Sequence, residues 1–173
     1  MCYFLSIASP LTLSEIRSML PPGLTADLAP SAERTLMIRL HPSAKTVAHL
    51  LVGACSCDLV RPRLKNSLED EREHRDRYRR RQLSRSDMIR QLERHRRGPL
   101  PRPEHPGGWG TALAGFVAEH ARNAGPTLYR LEFAPPDRSV PGSVDIEPVR
   151  RSVEEVRAAA GQWLTEDQPV LVI

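Results

Sequence analysis

The chain has 173 residues, 40% of them apolar and 27% charged, which suits one folded domain with its own hydrophobic core. No stretch approaches the ~18 uninterrupted apolar residues of a membrane span. The apolar start, MCYFLSIASPLTLSE, has no basic leader and is broken by Pro10, so it reads as a strand and not a signal peptide, and a cytoplasmic protein is expected. The net charge of +4 is uneven: residues 61–97 hold 14 Lys/Arg against 7 Asp/Glu, and the remainder holds 11 against 14. That distribution excludes a uniformly basic surface. Only Lys45 and Lys65 are lysines, and with so much Ala, Leu and Pro the composition points to a GC-rich bacterial genome.

In chain order, CYFLSIA (2–8) is a short apolar, aromatic-rich segment and predicts a strand. Thr12 and Glu15 then form a capping-box pattern. Leu13, Ile16, Met19 and Leu20 recur at helical spacing, and the Pro21-Pro22-Gly23 sequence stops that helix. Residues 24–43 are less regular; ERTLMIRL favours a short helix ended by Pro42. TVAHLLVGACSCDLV (46–60) is rich in Val and Leu, lacks proline and predicts one long strand, with Gly53 marking a bulge or a close backbone approach.

From Arg61 the composition changes. Residues 61–82 are strongly charged, with Leu64, Leu68 and Tyr78 the only large apolar positions, and predict an exposed helix or a mobile connection. Ser86 reads as the cap of a helix DMIRQLERHRRG with a narrow apolar stripe of Met88, Ile89 and Leu92. Residues 98–108 form a Pro/Gly-rich linker. Residues 61–108 therefore look like a charged helical insertion within a single domain, 1–173.

The second half is regular. Residues 109–125 place Trp109, Leu113, Phe116, Val117 and His120 on one helical face, with Gly125 as the stop. TLYRLEF (127–133) alternates like a half-buried strand, and SVDIEPV (143–149) reads as an edge strand because of Pro148. Ser152 and Glu155 form a second capping box, opening a helix VEEVRAAAGQWL, and PVLVI (169–173) is a terminal strand. The expected fold class is α/β, with α+β as an alternative: one mixed sheet of about 4–5 strands with helices packed on it.

The most distinctive feature is GACSCDLV (53–60). On a continuous strand Cys55 and Cys57 would share one face, with Cα atoms roughly 6.5 Å apart. Two sulfurs so placed reach one metal ion at Zn–S distances of about 2.3 Å, whereas a disulfide between them would be strained. The third cysteine, Cys2, starts the first strand, while Cys55 and Cys57 lie toward the end of a later one. If those strands are adjacent and antiparallel, the three sulfurs converge; if parallel, Cys2 lies roughly 30 Å away. The candidate metal ligands are therefore Cys2, Cys55 and Cys57, with zinc or a similar ion. A fourth ligand is not evident: His49 would be roughly 20 Å along the strand, Asp58 points to the opposite face, and His41, His105 and His120 approach only through tertiary folding. The plain alternative is three ordinary cysteines packed as small hydrophobes.

Two rival readings stand beside the metal centre. One is a thiol-dependent enzyme or redox protein using Cys2 or the Cys55/Cys57 pair. Met1-Cys2 is similar to the start of the class II glutamine amidotransferases, whose nucleophile is that cysteine. The likeness covers two residues, and Tyr3 stands where those enzymes have glycine, so their chemistry is not carried over. The other rival is an adaptor that docks nucleic acid or an acidic protein partner through 61–97, at Arg77, Arg79, Arg80 and Arg81. The interleaved Asp and Glu also suit a solvated helix stabilised by its own i,i+4 pairs. His120 reads as a packed histidine, and Trp109 and Trp163 as core anchors. No phosphate-loop, dinucleotide-binding, zinc-protease or nucleophile-elbow pattern occurs.

Overall fold

The structure, a computed structural model, describes residues 2–60, 84–96, 108–134, 146–159 and 162–173, together with Arg75 and Arg79. Its contacts divide the chain into two compact units, 1–62 with 103–173, and 63–102. The larger unit is of the α+β kind. Its elements are β1 (Cys2–Ser9), α1 (Leu13–Ser18), β2 (Thr25–Leu28), α2 (Ser31–Leu40), β3 (Thr46–Leu51) and the short α3 (Cys57–Val60). After the smaller unit, which contributes α4 (Arg85–Arg96), come α5 (Trp109–Ala124), β4 (Thr127–Ala134), β5 (Val149–Arg151), α6 (Val153–Ala159) and β6 (Val170–Val172). Among the described residues no helix is long and apolar enough to cross a membrane.

Six strands form one mixed sheet in the order β2-β3-β1-β4-β6-β5, one or two more than the sequence suggests. The additional strand is β2, whose TADL run has no clear alternation; it forms by pairing antiparallel to β3, Ala26 opposite Leu50. β1 lies between β3 and β4 and is antiparallel to both, with Leu5 opposite Leu50 on one side and Leu131 on the other. Among the described strands only β5 and β6 pair in parallel.

One face of the sheet carries Leu5, Ile7, Leu50, Tyr129 and Phe133, each nearly or fully buried. Over it lies α5, whose Trp109, Leu113, Phe116, Val117 and His120 are all buried as their spacing predicts. Each fully buried side chain of this size contributes about 1.5–3 kcal/mol. Gly125 ends α5 at φ +72°, a conformation that suits glycine, with its N–H on Ala121 O.

The opposite face is covered by α2, which packs Met37 against Ala8, Val47 and Leu128. This face also buries charge. Arg130 donates to both carboxylate oxygens of Glu33 at 3.2 and 3.1 Å and to Glu132 at 3.0 Å, while Ser6 Oγ donates to Glu33 at 2.9 Å. Glu33, Arg130 and Glu132 are 3%, 2% and 7% exposed. β4 is therefore buried on both faces, and not half-buried as its alternation implies, because its charged side chains pair beneath α2.

Other local expectations need adjustment. The chain does not run as one strand from 46 to 60. β3 ends at Leu51, and Gly53 at φ +68° turns the chain so that Val52 N–H meets Cys55 O at 2.9 Å. The Thr12/Glu15 and Ser152/Glu155 capping boxes both form; α6 is described over Val153–Ala159, and Gln162 and Trp163 lie in a turn instead of continuing the helix. The edge strand is Val149–Arg151, since Pro148 lacks an N–H and the ladder starts with Val149 donating to Pro169 O.

In the smaller unit, α4 is capped by Ser84, not Ser86. Ser84 Oγ accepts the Asp87 N–H at 3.1 Å and donates to its carboxylate at 2.6 Å. Leu92 is buried but Ile89 is half exposed, so the expected stripe is only partly covered.

Candidate metal centre

The three cysteines meet where the start of β1 passes the end of β3. Because β1 and β3 are antiparallel, Ser6 lies opposite His49 and Leu5 opposite Leu50, which carries the beginning of β1 toward the turn after Leu51. The convergence that depends on antiparallel strands thus occurs. Its local route differs from a two-thiol strand face: Cys55 bridges to Val52 after the glycine turn, and Cys57 opens the α3 turn.

Ser56, between the two cysteines, fixes this loop against β1. It is fully buried. Its N–H donates to Tyr3 O at 2.9 Å, its hydroxyl donates to Leu50 O at 2.6 Å, and the same oxygen accepts the Leu5 N–H at 2.8 Å. Three bonds to two strands hold the Cys-Ser-Cys turn in place. Tyr3 N–H also points at the Cys57 sulfur, 3.4 Å away. A backbone donor at this distance favours a sulfur that carries negative charge. The sequence reading overlooked Ser56; the only signal was its position between two cysteines.

The three Sγ atoms lie within 4.8 Å of one another. Thiolates arranged tetrahedrally at about 2.3 Å from zinc are about 3.8 Å apart, so each pair needs to close by at most about 1 Å. Cys55 is buried, whereas Cys2 and Cys57 are half-buried. Without a cation the packed thiols resist ionisation. The Cys2 thiol is pushed up chiefly by its hydrogen bond with Cys55, with burial adding to the effect and Cys57 opposing it. Cys57 is pushed far above the ordinary thiol range by its hydrogen bonds with Cys2 and Cys55 and by burial. Such a group could hold a metal ion, since a divalent cation offsets the like charges that otherwise forbid three thiolates together.

The histidines considered as a fourth ligand do other work. His41 Nε2 lies 3.1 Å from Pro126 O and 3.1 Å from Ser43 Oγ. His120 is fully buried between Ser9 Oγ, 3.0 Å from Nε2, and Thr127 Oγ1, 3.2 Å from Nδ1. His49 packs against the Phe4 ring, with centroids 5.4 Å apart. His105 lies outside the described residues. Among the described residues, the group contains no histidine or carboxylate.

The Arg-rich region is described only in part. Arg77, Arg80 and Arg81 lie outside the described residues, and Arg79 is an exposed helical residue. The chain matches no protein-family model, no curated protein and no solved structure, so the reading of the site rests on its own geometry.

Proposed function

We propose that Cys2, Cys55 and Cys57 form a metal–thiolate centre that takes zinc or an ion of similar softness. The observation that carries this reading is the mutual approach of three sulfurs from two separate chain segments to within 4.8 Å. Buried cysteines acting as small hydrophobes have no need to point their sulfurs at one another. Thiolate donors suit Zn²⁺, Cu(I) and iron, and disfavour Mg²⁺ and Ca²⁺. The described residues supply three sulfurs, and a fourth donor comes from a residue outside them, which closes the site, or from water, a partner or a substrate, which leaves it open for chemistry. A reducing compartment such as the cytoplasm keeps the thiols available.

Elemental analysis of protein purified without added metal tests this reading. The expected result is about one metal ion per chain, with cysteines that resist thiol reagents until a chelator is added. Cobalt(II) in place of zinc should give the intense near-ultraviolet absorption of sulfur-to-metal charge transfer. A metal-free chain that gains no such band with cobalt, and whose three thiols react at once, would refute the centre.

A further inference from the structure

The cluster holds three sulfurs where a disulfide needs two, and the three are not equivalent. Cys55 is 1% exposed, while Cys2 and Cys57 are half-buried and reach solvent. Those two also come from different segments. Tyr3, beside Cys2, reaches Cys57 across 54 residues of chain through its N–H. By contrast, Cys55 and Cys57 are separated only by Ser56, whose three hydrogen bonds fix the turn. A disulfide within that turn would have to distort it.

We infer that Cys2 and Cys57 are the redox-active pair of the centre, and that a peroxide converts the metal clip into a covalent one. This rests on the metal–thiolate reading for the ion that is released; the identity of the pair rests on exposure and topology. In the step, one of the two exposed thiolates attacks hydrogen peroxide, breaking the O–O bond to give a sulfenic acid and hydroxide. The second thiolate attacks that sulfur and expels a further hydroxide. Two protons from solvent convert the hydroxides to water. Two electrons have passed from sulfur to peroxide, and the metal keeps its oxidation state. Of the three sulfurs only Cys55 remains as a ligand, so the ion leaves. The strands stay joined, because the disulfide spans the same gap that the ion spanned.

The test uses the zinc-loaded full chain. Hydrogen peroxide is titrated in while a chromogenic chelator reports free zinc, and the product is alkylated, digested without reduction and mapped by mass spectrometry. The expected result is zinc release in step with disulfide formation, a peptide joining Cys2 to Cys57, and recovery of zinc binding after dithiothreitol. Cys55→Ser should still form that cross-link, and Cys57→Ser should not form it. A zinc-loaded protein that gives a Cys55–Cys57 disulfide, gives sulfinic acid or keeps its zinc overturns the pair and leaves the metal centre standing. A chain that binds no zinc but still joins Cys2 to Cys57 keeps the pair and removes the metal centre.

Discussion

Ser56 Oγ donates to Leu50 O and accepts the Leu5 N–H at 2.6 and 2.8 Å, so one hydroxyl spans the paired strands β3 and β1 directly beneath the cysteines. The cysteine turn is thus positioned by a residue that supplies no sulfur. Ser56→Ala removes both bonds and leaves a buried N–H and a buried C=O without that partner. The expected loss is about 2–4 kcal/mol of stability in urea unfolding. Cobalt affinity should also fall, with the charge-transfer band retained at high cobalt. A variant with unchanged stability and unchanged cobalt affinity would show that the serine does not organise the turn.

Arg130 pairs with both Glu33 and Glu132 in the buried network under α2. Replacing it with Met removes a buried ion-pair partner from both carboxylates, and should cost about 3–5 kcal/mol. Glu33→Gln keeps a hydrogen-bonding side chain and leaves Arg130 paired with Glu132, so its cost should be smaller, about 1–3 kcal/mol. Chemical denaturation of both variants checks the order. Equal or reversed losses would mean that the network is held by Glu33 and not by Arg130.

His120 gives the fold a sensitivity to acid. Burial lowers its pKa from 6.5 to about 4. Thr127 Oγ1 already donates to Gly125 O, which leaves it to accept from Nδ1–H, while Ser9 Oγ donates to Nε2. The folded ring is therefore neutral, whereas the unfolded ring takes up a proton as pH drops through 6.5. Unfolding binds protons in this window, so stability is full above about pH 6.5 and declines toward pH 4, by ~3 kcal/mol in all. His120→Gln should flatten this part of the stability–pH curve. A slope identical to that of the wild-type chain would assign the acid sensitivity elsewhere.

The sequence shows the amphipathic α5, both capping boxes and the three cysteines because each depends on near neighbours or on a strict period. It misplaces what depends on a single backbone angle. LLVGACSCDLV is apolar enough to pass for one strand, and only the positive φ of Gly53 turns it back after Leu51. The cysteines converge as the antiparallel alternative requires, yet through a turn and a helical start instead of a strand face. Arg130 and Glu132 look solvent-facing in TLYRLEF because alternation reports one covered face, and the second cover, α2, comes from about a hundred residues earlier in the chain. β2 is invisible for a related reason: TADL has little strand preference of its own and forms on the edge that β3 offers.

The central place of β1 also bears on how the chain is made. Its partner β3 ends at Leu51, but its other partner, β4, begins only at Thr127. At ribosomal speeds of about 5–20 residues per second, the β4-facing edge of β1 waits roughly 4–15 s for its mate once β3 is made. During that interval a nascent β2-β3-β1 sheet presents an open, apolar margin to any chaperone or neighbouring chain. The Cys-Ser-Cys turn is complete by residue 57, early enough to lock the finished side of the sheet while the other side is still being synthesised.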